Sequence, residues 1–395
     1  MLQKTDIFQT VPRIVFGVNC TENLGKEIKQ IGATRVAIIT DPGLVEVGID
    51  QPVIEALKNE NIESCLFKEV EPDPRIETAN KAAAFVKEHK ADLIVGLGGG
   101  SAMDIAKAAA VICTNPDPIE TYSGINLVPK PGLPVVLIPT TAGTGSEVTS
   151  ISVLSNTEKK IKAGVVSDYM FARCAFLDPA LTVKLPPPVT ASTGLDALVH
   201  AMESYVGKRA SFITEPLAFS AMEMIAKYLR RAYADGSDIE ARSGMLQGSL
   251  LAGLAFANTQ TGAAHACSHS LGAFFHIPHG IATALMLPAV MKFNCIAATE
   301  KFSNIASAFG ENIEGLSPIE AANRSVDAVV RLIEDIGFQL GLENYGVTES
   351  DIPALTDGAI LPAARLWNNN PRSATKDQVA QIFRDSFMDK KIKSL

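Results

Sequence analysis

The sequence predicts two domains in succession: an α/β domain with a mostly parallel sheet over residues 1–185, then an all-helical domain over residues 186–395. Three observations carry this. Short β-rich runs alternate with amphipathic helical stretches through the first half. A proline triplet, Pro186-Pro187-Pro188, then interrupts the chain, and proline continues neither a strand ladder nor a helix interior. Downstream of it almost everything has helical spacing. A length of 395 residues points the same way, since it exceeds what one core ordinarily organises.

In order, RIVFG (13–17), RVAIITD (35–41), SCLFKEV (64–70), DLIVGLG (92–98) and PVVLIPT (134–140) read as strands. Their apolar runs are nearly unbroken, as in strands covered on both faces. Helical periodicity fills residues 22–31, 51–60, 76–89 and 101–113. A β-α-β-α order predicts parallel strands with helices on both sides. After the prolines, helices are expected over 190–206, 215–234, 238–260, 262–274, 280–309, 317–340, 349–365 and 374–388. Functional residues in such a chain are expected in the cleft between the domains.

Composition narrows the function classes. With 47% hydrophobic and 20% charged residues the chain is a well-packed globular protein, neither disordered nor fibrous. A net charge of −8 argues against a nucleic-acid partner, which would need a basic stripe. The best apolar run, Ile281 to Met291, is too short to span a bilayer and contains Pro288, so no membrane insertion is expected. The first residues, MLQKTDIFQTVPR, lack the apolar core of a secretory signal. Cys20, Cys65, Cys113, Cys174, Cys267 and Cys295 are scattered with no CxxC pair, which favours reduced thiols in the cytoplasm.

Two glycine-rich turns follow predicted strands. In Gly96-Leu97-Gly98-Gly99-Gly100-Ser101 the glycines let backbone approach a phosphate, and the following helix offers unpaired N–H groups and a positive dipole end. Ser101 is placed to cap that helix, with Asp104 and Lys107 one and two turns along. The motif is not the Rossmann fingerprint, because the third glycine is missing at the required spacing, and a plain tight turn is the competing reading. The second turn, Pro139-Thr140-Thr141-Ala142-Gly143-Thr144-Gly145-Ser146-Glu147, is rich in hydroxyls suited to phosphate and ribose oxygens. Two such loops in one half point to a dinucleotide. Asp41, at the end of RVAIITD, can hold a ribose diol and repel a 2′-phosphate, favouring NAD over NADP; a cap ahead of Pro42-Gly43 is an equal alternative.

Histidine placement is the sharpest signal. Of six histidines only His89 lies in the first half, at a Lys/Glu-rich helix end that reads as surface. Asp196 and His200, in TGLDALVHAMESYV, share a helix face at i and i+4. Alone, such a pair is more often a simple Asp–His hydrogen bond. GAAHACSHSLGAFFHIPHG changes the balance by adding His265, His269, His276 and His279, since burying unpaired imidazoles is costly. A mixed carboxylate–imidazole site suits Fe(II) or Zn(II) and not Mg(II) or Ca(II). Without thiolates it fits a catalytic centre better than a structural one, and Cys267 is expected to turn into the core.

At GGGSAMDIAK, PTTAGTGSEVT, TGLDALVHAMESY and HACSHSLGAFFHIPHG the chain resembles the iron-containing (group III) alcohol dehydrogenases, and the likeness extends to Asn370-Pro371-Arg372. The resemblance implies a dehydroquinate synthase-like fold and an NAD-dependent oxidoreductase acting on a short-chain alcohol or aldehyde. It implies metal ligands at Asp196, His200, His265 and His279, and a role for His269 near nicotinamide and substrate, where it is the candidate proton carrier. Pyrophosphate would lie on Gly98, Gly99, Gly100 and Ser101, with Asp104 on the same helix; Thr140, Thr141 and Thr144 would contact the nucleotide, and Asp41 would mark NAD preference. The family's metal is iron, with zinc the alternative. Its members are commonly dimers in which an early strand, here near residues 8–18, pairs across the interface.

Departures from the family bear on the substrate. His276 stands where relatives tend to carry asparagine, Thr259-Gln260-Thr261 replaces a more apolar stretch, and Arg365 lies near a pocket-lining helix. His276 and Arg365 together would favour an anionic aldehyde; surface positions for both are the competing reading. Three other readings are weaker: a non-redox cyclase of the dehydroquinate synthase type, a metal-free reductase, and a binding protein without turnover.

Overall fold

The computed structural model describes residues 5–156, 161–361 and 363–388. It divides into two compact units, one of Gln9–Leu185 and one that begins at Pro186 and also takes in residues 5–8.

The first unit carries strands β1 (Ile14–Phe16), β2 (Arg35–Ile39), β3 (Glu63–Phe67), β4 (Leu93–Gly98), β5 (Gly124–Ile125), β6 (Val135–Pro139), β7 (Ile151–Asn156), β8 (Ile161–Val166) and β9 (Cys174–Leu177). Six of them form one sheet in the order β1-β9-β6-β4-β2-β3, every pairing parallel. Helices α1 (Leu24–Ile31), α2 (Pro42–Glu46), α3 (Gln51–Asn59), α4 (Ile76–Glu88) and α5 (Gly100–Thr114) supply the crossovers. The fold class is the one the sequence predicts. β2 and β4 are buried along nearly their whole length, which explains their unbroken apolar runs. Ile28, Val36, Ile38, Leu57, Val95, Val136, Ile138 and Phe176 belong to the core on one side of the sheet.

Strand order sets where a ligand can bind. From β2 the chain runs outward to β3 and then returns to β4 on the other side of β2. The crossovers therefore diverge between β2 and β4, and the carboxyl ends of those strands border a crevice. Asp41 follows β2, and the GGGS turn follows β4.

Two features of this unit were not expected. β9 is four residues long, and a short apolar run such as CAFL cannot be told from a helix segment by periodicity. A separate three-stranded sheet, β5-β8-β7, contains the antiparallel pair β7–β8, and those two strands lie beyond the last predicted one.

The second unit is helical: α6 (Pro187–Val206), α7 (Thr214–Ala234), α8 (Ile239–Thr259), α9 (Ala263–Phe275), α10 (His279–Cys295), α11 (Thr299–Ala308), α12 (Pro318–Asp335), α13 (Ile352–Ile360), α14 (Ala364–Asn369) and α15 (Lys376–Asp385). The proline triplet starts α6, where Pro187 and Pro188 need no intrahelical N–H partner. The expected helix over 280–309 is two helices, broken between Cys295 and Thr299, and that over 349–365 resolves into α13 and the start of α14. Among the described residues no helix is long and apolar enough to cross a membrane.

Candidate functional site

In the helical unit, α6, α9 and α10 bring four predicted residues together. Asp196 and His200 lie one turn apart on α6, and both are buried. His265 sits in the first turn of α9, and His279 opens α10 after Pro278. The start of α10 reaches α6 because residue 280 is glycine: a Cβ there would lie 2.4 Å from the Ser192 carbonyl oxygen.

Asp196 is the hub. Its Oδ1 is 3.9 Å from His265 Nε2 and 3.7 Å from His279 Nε2, and its Oδ2 is 3.9 Å from His200 Nδ1. These separations are too long for hydrogen bonds. They suit atoms that each reach about 2.1 Å to a shared ion. Donor atoms of Asp196, His265 and His279 lie within 4.8 Å of one another, a group able to hold a metal. His200 stands beside this group, its ring stacked between Phe256 at 4.2 Å and His265 at 4.8 Å, centroid to centroid.

His265 explains the chemistry best. Its Nδ1 is 2.6 Å from Glu203 Oε2, while its Nε2 is buried and has no hydrogen-bond partner. Desolvation, with the neighbouring His200 and His269 rings, holds His265 well below the ordinary histidine range. His279 is lowered too, first by desolvation and then by the other rings, with Asp196 opposing. Its side chain keeps 41% exposure, so solvent moderates the effect and the site has one open side. Neutral imidazoles with free lone pairs are what a metal needs. Thr283, fully buried, donates to Asp196 Oδ1 at 3.4 Å and fixes the remaining donor.

His269 is exposed, one turn beyond His265, with its ring stacked 5.7 Å from that of His279. Cys267 is fully buried, as expected. His276 is the C-cap of α9 in the left-handed conformation, φ 55°, and its N–H donates to the Gly272 carbonyl. Asparagine and glycine favour that conformation, so position 276 is one that ends the helix. Arg365 is exposed in the first turn of α14, whose Leu366 and Trp367 pack with Ala266 of α9.

Glu203 was missed. It lies on α6 three residues after His200 and seven after Asp196, so it shares their face; that spacing was the available signal. Burial pushes its carboxyl up to about 7, opposed by hydrogen bonds from the backbone of Gly262, Ala264 and His265.

In the α/β unit the two loops meet. Thr140 N–H donates to the Gly98 carbonyl at 3.0 Å, extending the β4–β6 ladder past its end. A Cβ on Gly99 would lie 3.5 Å from Thr141 Cγ2, and one on Gly100 would lie 2.9 Å from Thr144 Cγ2. Gly98 has φ 149°, a backbone state costly for other residues. Ser101 does not cap α5; Gly99 is the N-cap, and Ser101 stands in the first turn with no capping hydrogen bond from its side chain. A glycine cap leaves the first N–H groups of the helix for a ligand. Thr141 Oγ1 is buried without a partner beside Gly99.

Of the two roles expected of Asp41, the structure shows the helix cap. Oδ1 caps α2 by accepting from Leu44 N–H at 3.0 Å, and Oδ2 faces Gly98, 3.5 Å from where a Cβ would stand. Asp104 faces inward: Ser146 Oγ donates to it at 2.6 Å and Val153 N–H at 2.9 Å. Lys107 is buried beside it and reaches Ser146 and Thr149. Asp104 and Lys107 therefore brace the second loop against α5.

A fully parallel sheet whose glycine turns end at its crevice, with a carboxylate–imidazole centre on helices, defines a metal-dependent, dinucleotide-using oxidoreductase. Comparison with known proteins gives the family. Residues 12–179 match the family described as iron-containing alcohol dehydrogenase, and residues 190–387 the Fe-containing alcohol dehydrogenase family, C-terminal. The chain belongs to the iron-containing alcohol dehydrogenase family and is an NAD-dependent alcohol oxidoreductase. It is 44% identical over 383 residues to a sulfoacetaldehyde reductase of Bilophila wadsworthia, covering 96% of this chain and 99% of that one. The crystal structure of a 1,3-propanediol oxidoreductase superposes with a TM-score of 0.95 at 38% identity, covering 97% of this chain and all of that one. A sulfoacetaldehyde reductase from Bifidobacterium kashiwanohense, in complex with NAD+, superposes with a TM-score of 0.88 at 32% identity, over 98% of this chain and all of that one.

Proposed function

We propose that Asp196, His200, His265 and His279 hold one divalent metal, iron foremost and zinc as the alternative, for interconversion of a short-chain alcohol and its aldehyde with NAD. The observation that carries this is the buried, unpartnered Nε2 of His265, aimed among the Asp196 and His279 donors. An orphaned polar atom at full burial would cost about 1–3 kcal/mol unless something pairs with it. The nitrogen–oxygen donor set suits Fe(II) or Zn(II).

When bound, the metal supplies Lewis-acid polarisation of the substrate oxygen, and the nicotinamide gives or takes the hydride. The chain's own residues do the rest. His269, exposed at the rim, carries the proton between the substrate oxygen and solvent. Gly98, Gly99, Gly100 and Ser101, with the N-terminus of α5, cradle pyrophosphate. Thr140, Thr141 and Thr144 offer hydroxyls to the nucleotide. Asp41 Oδ2 accepts from a ribose diol and repels a 2′-phosphate. Asp104 acts by bracing the second loop.

The test is His265→Ala with metal analysis beside the rate of NADH oxidation at 340 nm. Metal content and turnover are expected to fall together; a metal-stripped protein with full activity sinks the reading. Six free cysteines support a reducing, cytoplasmic setting. β1, at an edge of its sheet, is the strand we propose for pairing in a homodimer, which sedimentation tests.

A second reading, reduction of a small anionic aldehyde by the same chemistry, is favoured by the 44% identity to a sulfoacetaldehyde reductase. Arg365 is its candidate anion partner. Under it, kcat/KM for sulfoacetaldehyde exceeds that for an uncharged aldehyde of equal length, and Arg365→Ala lowers only the former.

A further inference from the structure

Glu203 is 5% exposed, yet its carboxylate is among the most heavily engaged groups of the helical unit. Oε2 accepts from Gly262 N–H at 2.8 Å and stands 2.6 Å from His265 Nδ1; Oε1 accepts from Ala264 N–H at 2.6 Å and His265 N–H at 3.4 Å. Those backbone groups are the unpaired donors at the start of α9, which has no side-chain cap of its own. One side chain of α6 thus fixes both the first turn of α9 and the ring that turn carries.

The arrangement dictates a tautomer. The ionised carboxylate that these backbone N–H groups favour can only accept, so the imidazole nitrogen facing it is the donor. A hydrogen on Nδ1 leaves the lone pair on Nε2, the atom directed among Asp196 and His279. Rotation is fixed as well, because the ring cannot turn without leaving a buried carboxylate short of a donor.

The approach depends on Gly262. A Cβ there would lie 3.1 Å from Glu203 Oε1 and 3.3 Å from Asn370 Oδ1, closer than side chains comfortably pack. Asn370 is itself anchored by Asn294, with each amide donating to the other's oxygen at 2.8–2.9 Å. Asn369 Nδ2 donates to the carbonyls of Gln260 and Thr261, pinning the strand of chain that enters α9, where Gln260 has φ 73°. The linker is over-determined from three directions, as a residue held in an unfavourable backbone state requires.

We propose that Glu203 is a positioning residue of the metal centre, holding His265 by Nδ1 and the start of α9 by its N–H groups so that Nε2 is presented to the ion. This rests on the metal reading above. Outer-shell carboxylates of this kind raise ligand basicity and fix ring orientation, and their loss typically weakens metal binding about 10–100-fold.

The experiment uses Co(II) as probe on the full-length apoprotein, with affinity measured by chelator competition and geometry by the visible d–d bands. Glu203→Gln places an amide NH2 where donors already point, and is expected to weaken Co(II) binding about 10–100-fold and alter the spectrum. Gly262→Ala keeps the carboxylate but displaces it, and is expected to weaken binding several-fold with the fold intact; it decides the matter if Glu203→Gln does not fold. His265→Ala separates the two ideas. If it binds Co(II) as tightly as wild type, the metal reading itself fails. If it loses Co(II) while folded Glu203→Gln, or Gly262→Ala in its place, keeps wild-type affinity and spectrum, the metal reading stands and Glu203 is only a helix cap.

Discussion

The helical unit and the α/β unit build their sites from different materials. In the first, side chains converge: one carboxylate and its surrounding imidazoles, each carried by a helix and held by buried polar partners such as Glu203 and Thr283. In the second, backbone does most of the work. Glycines bring two loops together, α5 begins without a side-chain cap, and the side chains nearest Gly99 and Gly100 are the small hydroxyls of Thr141 and Thr144. A centre made of side chains tolerates no deletion, whereas one made of backbone tolerates no addition. Truncations should therefore hurt the helical unit most, and enlargements the α/β unit.

The largest expected effect comes from truncation. His265→Ala should remove bound metal and lower turnover by more than the roughly 100-fold reached by outer-shell changes. Atomic absorption alongside the 340 nm assay checks it, and retention of stoichiometric metal would break the contrast.

Enlargement comes next. Gly100→Val sets branched carbon against Thr144, where even a Cβ lies 2.9 Å from its Cγ2. It should raise the Kd for NADH at least about tenfold, a loss of roughly 1.4 kcal/mol, while leaving metal content unchanged. Fluorescence titration reads the first and metal analysis the second; a fall in both would show that the two sites do not fail separately.

The third effect depends on pH. Glu147, fully buried in the second loop with Oε1 unpartnered, has its carboxyl pushed up to about 7 by desolvation, with its own backbone and Lys107 opposing. Its folded-state pKa lies above its unfolded one, so the folded protein binds the extra proton. Stability is thus undiminished by this group at low pH and falls as pH rises from about 4.5 through about 7. Glu147→Gln should gain about 1–3 kcal/mol at pH 8 relative to its effect at pH 5. Urea unfolding at both values tests this, and an equal effect at the two would falsify it.

The smallest concerns the end of α9. His276→Asn should stabilise by a few tenths of a kcal/mol, since asparagine accepts the left-handed state more readily. It should leave metal content alone. Lost metal would place His276 among the ligands.

These contrasts also show what could be read from residues alone. The parallel sheet was legible because β2, β4 and β6 are buried on both faces and carry unbroken apolar runs. β9 was not, being four residues whose pairing is settled only by neighbours distant in sequence. Asp196 and His200 were legible through helical spacing. Among the four histidines of the next segment, spacing alone could not separate the two whose rings approach Asp196 from the one whose backbone ends α9. Glu203 was hidden for another reason. Its value lies in reaching residues 262–265, and a long-range contact leaves no local trace beyond the face it shares with its neighbours. Asp104 was legible only as a position one turn along α5; which way its carboxylate turns is decided by Ser146 and Val153, far away in sequence.

The pairing of β1 with β9 has a consequence for how the chain is made. The first strand of the sheet finds its partner in the last, with β2, β3, β4 and β6 synthesised in between. During translation β1 has to wait with its ladder groups unsatisfied, because closing so long a loop precedes any reward from pairing. The rest of the sheet can collect around β4 and β2 earlier. A ribosome stalled before Cys174 should therefore hold β1 open to proteolysis, and emergence of Cys174–Leu177 from the ribosome should protect it.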